Sequence, residues 1–235
     1  LLAAGAGAAG PLLWRHLRRH AHPLLDTAPF ATPTFRATML MGTGMRTLIG
    51  TMPFLLPLMF QLGYGRSAVQ AGLLVLVLFA GNLGIKPFTT PILRRLGFRT
   101  VLVGNGLVQA AAMACFALLP AGAPLPLVLA LLVVAGASRS LQFTALNTLA
   151  FADVPQPAMA PANTWFSVAF QLSIGIGVAV GAVALRVASL AAGVAQPGLP
   201  QFHAALAVVA LAMAGMALTA LGLARDAGAA VTARA

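Results

Sequence analysis

Six apolar segments of membrane-spanning length occupy most of this 235-residue chain. An α-helix needs about 20 consecutive apolar residues to cross the hydrocarbon core of a bilayer, and each segment reaches that length. Because 60% of the residues are hydrophobic and only 7% are charged, too few polar side chains remain to cover a soluble surface. The sequence therefore predicts an all-α integral membrane protein, a six-helix transmembrane bundle. The predicted spans are 36–62, 68–92, 100–119, 125–151, 160–187 and 202–224.

The segments outside these spans are short. Residues 1–14 are apolar but too short to cross a bilayer, and they lack the basic start and cleavage site of a signal peptide. We interpret them as the tail of a preceding transmembrane helix, so the chain is expected to be a fragment. Residues 15–35 are predicted to form a basic cytoplasmic linker before the bundle at 36–225. Residues 226–235 are predicted to form a cytoplasmic tail.

The positions of the basic residues predict an orientation, because loops rich in Lys and Arg face the cytoplasm. Six alternating spans place nine arginines on one side of the membrane and only Arg66 and Arg186 on the other. We therefore expect both ends of the chain to be cytoplasmic. The net charge of +11 does not predict a nucleic-acid partner, because the cations lie at span ends. The larger group comprises Arg15, Arg18, Arg19, Arg36, Arg94, Arg95, Arg99, Arg225 and Arg234.

Polar side chains inside the spans mark helix contacts or a water-lined cavity, because they are costly in hydrocarbon. The third span has only Asn105 and Gln109 and the sixth almost no polar residue past His203, so we expect both spans to face lipid. The polar residues of the fifth span recur every four positions and share one stripe of the helix. The candidate residues for a substrate path are Arg46, Arg139, Gln142, Asn163, Ser167 and Gln171.

Arg46 and Arg139 give the sharpest hypothesis, because both lie near the middle of their predicted spans. The chain has three acidic residues, Asp26, Asp153 and Asp226, and all three fall in loops or tails. An arginine inside a span needs water or a partner. One interpretation makes the two arginines substrate-path or gating cations, and the other makes them hydrogen-bonding hubs between helices.

Three glycines in the fifth span, Gly175, Gly177 and Gly181, are predicted to allow close helix packing. They do not form a phosphate-binding loop, because they follow no strand. The sequence contains no Ser/His/Asp or Cys/His combination, no paired carboxylates and no metal-spaced His/Cys group. We therefore predict a transporter rather than an enzyme, with no cofactor and no metal site.

The loop from Leu93 to Arg99 resembles the cytoplasmic gating loop of the major facilitator superfamily, G-x-L-A-D-R-x-G-R-R. Its gating-loop candidates are Arg94, Arg95, Gly97 and Arg99, of which the last three match the family pattern. Thr90 stands in the place of the first glycine and Arg94 in the place of the aspartate. The role of that acid in gating therefore does not transfer to this loop.

Other segments resemble one branch of that superfamily, the fourteen-helix drug:proton antiporters. Pro23 to Asp26, with Phe30 and Phe35, resembles the segment before that branch's last six helices. Residues 139–149 resemble its arginine-led fourth-helix stretch without the glycines and proline, and residues 163–181 resemble the helix that follows. The similarity extends over nearly the whole chain in order and spacing.

The resemblance implies the C-terminal half of a fold in which two six-helix bundles rock about a central site. In that fold the first and fourth helices of a bundle line the cavity, the second and fifth face the other half, and the third and sixth face lipid. The implied partners are the lipid bilayer, the N-terminal helices, a small-molecule substrate and protons, whose carboxylate carriers lie mainly in the N-terminal half.

The leading hypothesis is proton-coupled multidrug efflux across the bacterial inner membrane by this multi-pass protein. One alternative is a transporter of an anionic solute that is bound by Arg46 and Arg139. The other is a degenerate homologue that does not transport, because the gating loop has lost its aspartate and a glycine.

Overall fold

The computed structural model describes residues 26–224 and 227–228. The predicted helix tail at 1–14, most of the linker, Arg225 and most of the C-terminal tail lie outside these described residues. Every regular element within them is helical. The main helices are α1 (Pro33–Ile49), α2 (Met52–Leu58), α3 (Ala68–Gly84), α4 (Lys86–Leu96), α5 (Phe98–Ala117), α6 (Leu125–Phe151), α7 (Met159–Ala191) and α8 (Leu199–Thr219).

Five helical segments are long and apolar enough to cross a membrane, and a sixth candidate arises if the bent pair α3 and α4 counts as one span. The prediction of an all-helical, multi-pass membrane protein is therefore confirmed, with five or six candidate spans. The five segments are Pro33–Gly63, Phe98–Ala117, Leu125–Phe151, Gln156–Ala191 and Leu199–Gly222.

Local sequence signals explain where several helices begin and end. Ser67 and Gln70 form a capping box at the start of α3, in which the Gln70 amide N–H donates to Ser67 Oγ at 3.2 Å and the Ser67 N–H donates to Gln70 Oε1 at 3.1 Å. Helix α1 begins at Pro33, three residues before the predicted start, because proline suits a first helical turn. Helix α7 runs to Ala191, past the predicted end at 187, and the chain leaves it through Gly193 at φ 66°.

Two spans are broken close to prolines. Between α1 and α2 the chain is interrupted at Gly50 and Thr51, and Pro53 lies in the first turn of α2. Between α3 and α4 the interruption is at Ile85, where the axis bends by 51°, and Pro87 lies in the first turn of α4. Since proline cannot donate a backbone hydrogen bond to the preceding turn, the break falls just before it in both cases.

Helices α3 and α6 approach closely because glycines face each other's backbone. A Cβ added at Gly136 would lie 2.9 Å from the carbonyl carbon of Leu78, and one added at Gly81 would lie 2.8 Å from the Cα of Val133. Real Cβ atoms do not reach such distances to backbone, so any larger residue would push the helices apart. This packing places α6 between α3, α5 and α1.

Helix α7 packs against the break in the first span through two of the three predicted packing glycines. A Cβ added at Gly177 would lie 2.9 Å from the Cα of Gly50, and one added at Gly181 would lie 3.4 Å from the Cβ of Thr51. Gly175 lies on the exposed side, and a Cβ there would meet nothing within 4 Å. The structure thus separates Gly175 from the pair, because two residues correspond to about 200° around a helix.

The linker end of the chain is attached to the start of α7. The Trp165 indole N–H donates to the backbone oxygen of Asp26 at 2.8 Å. The Phe30 ring lies 5.3 Å from each of the Phe35 and Trp165 rings, edge-on to both. These contacts join the start of α1 and the start of α7 in a small apolar cluster of their own.

Helices α5 and α8, which the sequence predicts to face lipid, pack tightly on each other. A Cβ added at Gly106 would lie 2.7 Å from the Cβ of Ala217. Their outward faces carry exposed apolar side chains, including Leu107, Leu118 and Leu211. An apolar outward face suits contact with hydrocarbon chains.

We predict that Gly136→Ala lowers the thermal stability of the full-length protein, because the added methyl group must displace the α3 backbone. Overpacking of this kind costs about 1–3 kcal/mol. The measurement is the apparent Tm of the detergent-solubilised protein. Gly72→Ala in α3 is the matched control, since its Cβ would meet nothing within 4 Å. Equal Tm values for the two variants would contradict the close packing of α3 and α6.

Candidate functional site

Arg46 lies at the junction of α1, α6 and α7, and its side chain is completely buried. One guanidinium nitrogen, Nη2, donates to Asn147 Oδ1 at 3.4 Å. The Cζ atom lies 4.5 Å from the centre of the Phe166 ring and 5.9 Å from that of Phe170. The cation is therefore held by aromatic faces and an amide oxygen, without a carboxylate among the described residues.

Four phenylalanines form what we term the aromatic cluster: Phe143 and Phe151 of α6, and Phe166 and Phe170 of α7. The centroid distances are 5.7 Å between Phe143 and Phe170, 5.1 Å between Phe151 and Phe166, and 6.3 Å between Phe166 and Phe170. These separations are typical of favourable aromatic pairs. The cluster thus joins the C-terminal half of α6 to the N-terminal half of α7.

Arg139 contacts the same cluster from the other end. Its Cζ atom lies 5.4 Å from the centre of the Phe143 ring, and its side chain is half-buried. Arg139, Phe143 and Asn147 are spaced by four residues and share one face of α6. Within the described part of the chain, the buried Nε and Nη1 atoms of both Arg139 and Arg46 have no hydrogen-bond partner.

The polar stripe of α7, which we define as Asn163, Ser167 and Gln171, is exposed along its whole length. Ser167 and Gln171 directly follow the clustered Phe166 and Phe170 in sequence, so the stripe borders the aromatic cluster. Only 22% of the apolar window of this span is buried, against 56% for the first span. The outer face of α7 is therefore less covered than that of the first span.

Gln142 differs from the other path candidates, because it is fully buried in the seam between α5 and α6. Its Oε1 accepts from Asn105 Nδ2 at 2.7 Å, and its Nε2 donates to the Leu102 carbonyl oxygen at 3.2 Å and to Met45 Sδ at 3.0 Å. Asn105 Nδ2 also donates to the Ser138 carbonyl oxygen at 2.8 Å. Both donors of the Gln142 amide are thus used within the bundle.

The gating-loop candidates lie at one end of the bundle, at the junction of α4 and α5. Gly97 alone connects the two helices and adopts φ 74°, a conformation that favours glycine. Arg94 and Arg95 are exposed in the last turn of α4, where cations interact favourably with the helix dipole. Arg99 is half-buried in the first turn of α5.

Sequence reasoning missed the partners of these residues. The aromatic cluster was not predicted, although Phe166 and Phe170 have the spacing of one helix face. Asn105 and Gln109 have the same spacing, in a span that the sequence predicts to face lipid. Both point inward. Gln109 is fully buried, and its Nε2 donates to Met52 Sδ at 3.1 Å. The contact of Lys86 was also missed: its Nζ donates to Thr144 Oγ1 of α6 at 3.4 Å.

Most of the chain matches one known protein family. Residues 2–178 match the Major Facilitator Superfamily. The chain belongs to this superfamily. Its members are membrane transporters, so the superfamily assignment confirms the prediction that the protein is not an enzyme.

Similar proteins include several named multidrug resistance protein MdtD. The one from Pectobacterium atrosepticum is 33% identical over 176 residues, which cover 75% of this chain and 38% of that protein. The one from Salmonella paratyphi B is 35% identical over 187 residues, which cover 78% of this chain and 39% of that protein. The chain thus spans about two fifths of the length of the curated relatives it matches.

We predict that the contact between the Arg46 guanidinium and the Phe166 ring stabilises the folded bundle. In a double-mutant cycle with Arg46→Met and Phe166→Leu, the coupling energy should be about 1 kcal/mol, because each change alone removes the same cation–π contact. The measurement is the unfolding free energy of the full-length protein in detergent.

The control cycle pairs Arg46→Met with Phe88→Leu, because Phe88 is exposed in α4. That pair should be additive. If the Phe166 cycle is equally additive, the aromatic cluster does not hold the buried cation.

Proposed function

We propose that this chain is the C-terminal six-helix bundle of a bacterial inner-membrane transporter that exports small molecules by alternating access, with both ends in the cytoplasm. We further propose multidrug-type efflux by proton antiport. The superfamily membership and the name of the MdtD relatives support this proposal. So does the share of those relatives that the chain covers, 38% and 39%, which suits one bundle of a two-bundle transporter.

The exposed polar stripe of α7 is the observation that carries the proposal. Asn163, Ser167 and Gln171 follow one another along a helix that is otherwise apolar, and hydrocarbon would solvate their amide and hydroxyl groups poorly. A face of this kind suits a water-filled path or a second bundle. Because the stripe borders the aromatic cluster, which Arg139 contacts through Phe143, the proposed path is lined by cationic, aromatic and neutral polar groups.

The proposed orientation rests on the short α4–α5 junction. Arg94, Arg95 and Arg99 lie there within six residues, and a concentration of arginines in so short a connection favours the cytoplasmic side. Arg99 lines the same surface cavity as Leu221, which follows α8, so the end of α8 lies on the same side. A sixth span formed by α3 and α4 together satisfies this arrangement.

The proposed coupling to protons requires groups outside this chain. The two described acidic residues, Asp26 and Asp153, lie before α1 and between α6 and α7, outside the helices. A carboxylate is the usual carrier of a transported proton inside a membrane. We therefore propose that the rest of the transporter supplies the carriers, and that this bundle supplies one wall of the substrate path.

A second candidate function is the transport of an anionic solute. The observation that favours it is the set of buried guanidinium atoms, Nε and Nη1 of Arg46 and of Arg139, that have no hydrogen-bond partner within the described residues. A carboxylate or phosphate group accepts hydrogen bonds from a guanidinium in a bidentate geometry. The gating loop of this chain departs from the family pattern at Thr90 and Arg94, which favours a third candidate, a homologue that does not transport.

The test uses the full-length transporter in proteoliposomes with an imposed pH gradient, and it compares the flux of a cationic dye with that of an anionic dye. We expect cationic-dye flux that collapses when a protonophore removes the gradient. Arg139→Ala should reduce that flux severalfold by altering the wall of the path, and Arg139→Lys should retain more of it.

The outcomes separate the candidates. If Arg139→Ala abolishes flux of the anionic dye alone, the anion transporter replaces the leading proposal. Flux that is unaffected by the pH gradient contradicts proton antiport. The absence of any flux, with folded protein confirmed by its Tm, favours the non-transporting homologue.

A further inference from the structure

We infer that the groove between α5 and α8 binds an anionic phospholipid, with its headgroup at Arg99 and one acyl chain along the small residues below. The first observation is a cavity of about 540 Å³ at the end of the bundle that holds the α4–α5 junction. It is lined by Arg99, Thr100, Val103, Gly104 and Leu221. A guanidinium and a hydroxyl group can both donate hydrogen bonds to a phosphate oxygen.

The second observation is an apolar cavity of about 430 Å³ farther along the same two helices. Its walls are small or aliphatic, among them Leu107, Ala111 and Ala114 of α5 and Ala207, Leu211 and Ala214 of α8. These surfaces have no polar side chain to hold water, and their small residues leave a channel at the outward side of the helix pair. A hydrocarbon chain fits such a channel by shape and polarity.

The two cavities follow one stripe of α5. Thr100, Gly104, Leu107, Ala111 and Ala114 are spaced by three or four residues, so they lie on the same helix face. At 1.5 Å per residue, Arg99 lies about 12 Å from Leu107 and about 18 Å from Ala111 along the axis. A cavity that carries a guanidinium and a hydroxyl group at one end of this stripe, with an apolar groove farther along it, matches a phospholipid, whereas a free phosphate ion would leave the groove empty.

Charge complementarity favours an anionic headgroup over a zwitterionic one. Arg94 and Arg95 are exposed at the end of α4 and add to the positive field around Arg99. Each basic residue close to a membrane surface attracts anionic lipid. The lining of both cavities contains no acidic residue among the described ones. The site is also separate from the polar stripe and from the aromatic cluster, which lie on α6 and α7.

Two variants remove the two halves of the site separately. Arg99→Gln removes the positive charge that would bind the headgroup, and Arg99→Lys keeps that charge. Gly104→Leu fills the junction of the two cavities, and it does so without displacing a helix because a Cβ at Gly104 would meet nothing within 4 Å. The matched controls are Arg186→Gln at an exposed arginine of α7 and Gly72→Leu at an equally open glycine of α3.

The experiment is native mass spectrometry of the full-length protein in detergent, titrated with phosphatidylglycerol, with phosphatidylcholine of the same chains, and with inorganic phosphate. We expect phosphatidylglycerol to bind about fivefold more tightly than phosphatidylcholine, and phosphate not to remain bound. Arg99→Gln should abolish the preference while Arg99→Lys keeps it. Gly104→Leu should weaken the binding of both lipids, and the two controls should behave as the unmodified protein.

The inference is overturned if phosphatidylglycerol shows no preference, or if Arg99→Gln and Gly104→Leu bind it as the controls do. Retention of inorganic phosphate alone would indicate an anion site without a lipid. A variant that fails to fold is recognised by its Tm, and the Arg99→Gln and Arg99→Lys pair then decides the outcome. The result is independent of the flux measurement, because a protein that transports nothing can still bind this lipid.

Discussion

The guanidinium of Arg46 has to be accommodated in a bundle whose described helices contain no carboxylate. A buried, unpaired charge costs several kcal/mol, so the chain must supply other groups that interact with a cation. It does so with the faces of Phe166 and Phe170 and with the Asn147 amide oxygen. These groups come from α6 and α7, so the need to solvate one side chain of α1 brings three helices together at one point.

The rest of the bundle separates into faces with different chemistry. Small residues bring α3 against α6 and α7 against the break in the first span, where Gly136 and Gly177 permit contact between backbones. The α5–α6 seam is closed by the amides of Asn105 and Gln142. Among the faces that these contacts leave uncovered are the polar stripe on α7 and an apolar groove along α5 and α8. We propose that the first faces a substrate path and that the second faces lipid.

The sequence predicts where the helices of this bundle begin and end better than it predicts which helix faces pack against each other. Helix α6 runs from Leu125 to Phe151, the residues predicted for the fourth span, because Pro124 precedes its first turn and the charged Asp153 follows its end. Periodicity also places Asn163, Ser167 and Gln171 on one face. It does not tell which face of one helix meets which face of another, so Gln142 was grouped with the path although its amide is used inside the bundle. For the same reason Gly175 was grouped with Gly177, from which half a turn separates it.

The most direct test of the central claim, that the α7 stripe lines a path opened alternately to each side, is site-directed labelling of the full-length transporter. Cys115 is exposed and is first replaced by alanine. Cysteines are then placed at Ser167 in the stripe and at Val183 on the apolar outer face, and a membrane-impermeant maleimide is added from either side of oriented vesicles. We predict that Ser167→Cys is labelled from both sides, with the preferred side changing when the pH gradient is reversed, and that Val183→Cys is not labelled. Protection of Ser167→Cys from both sides under every gradient would contradict the account.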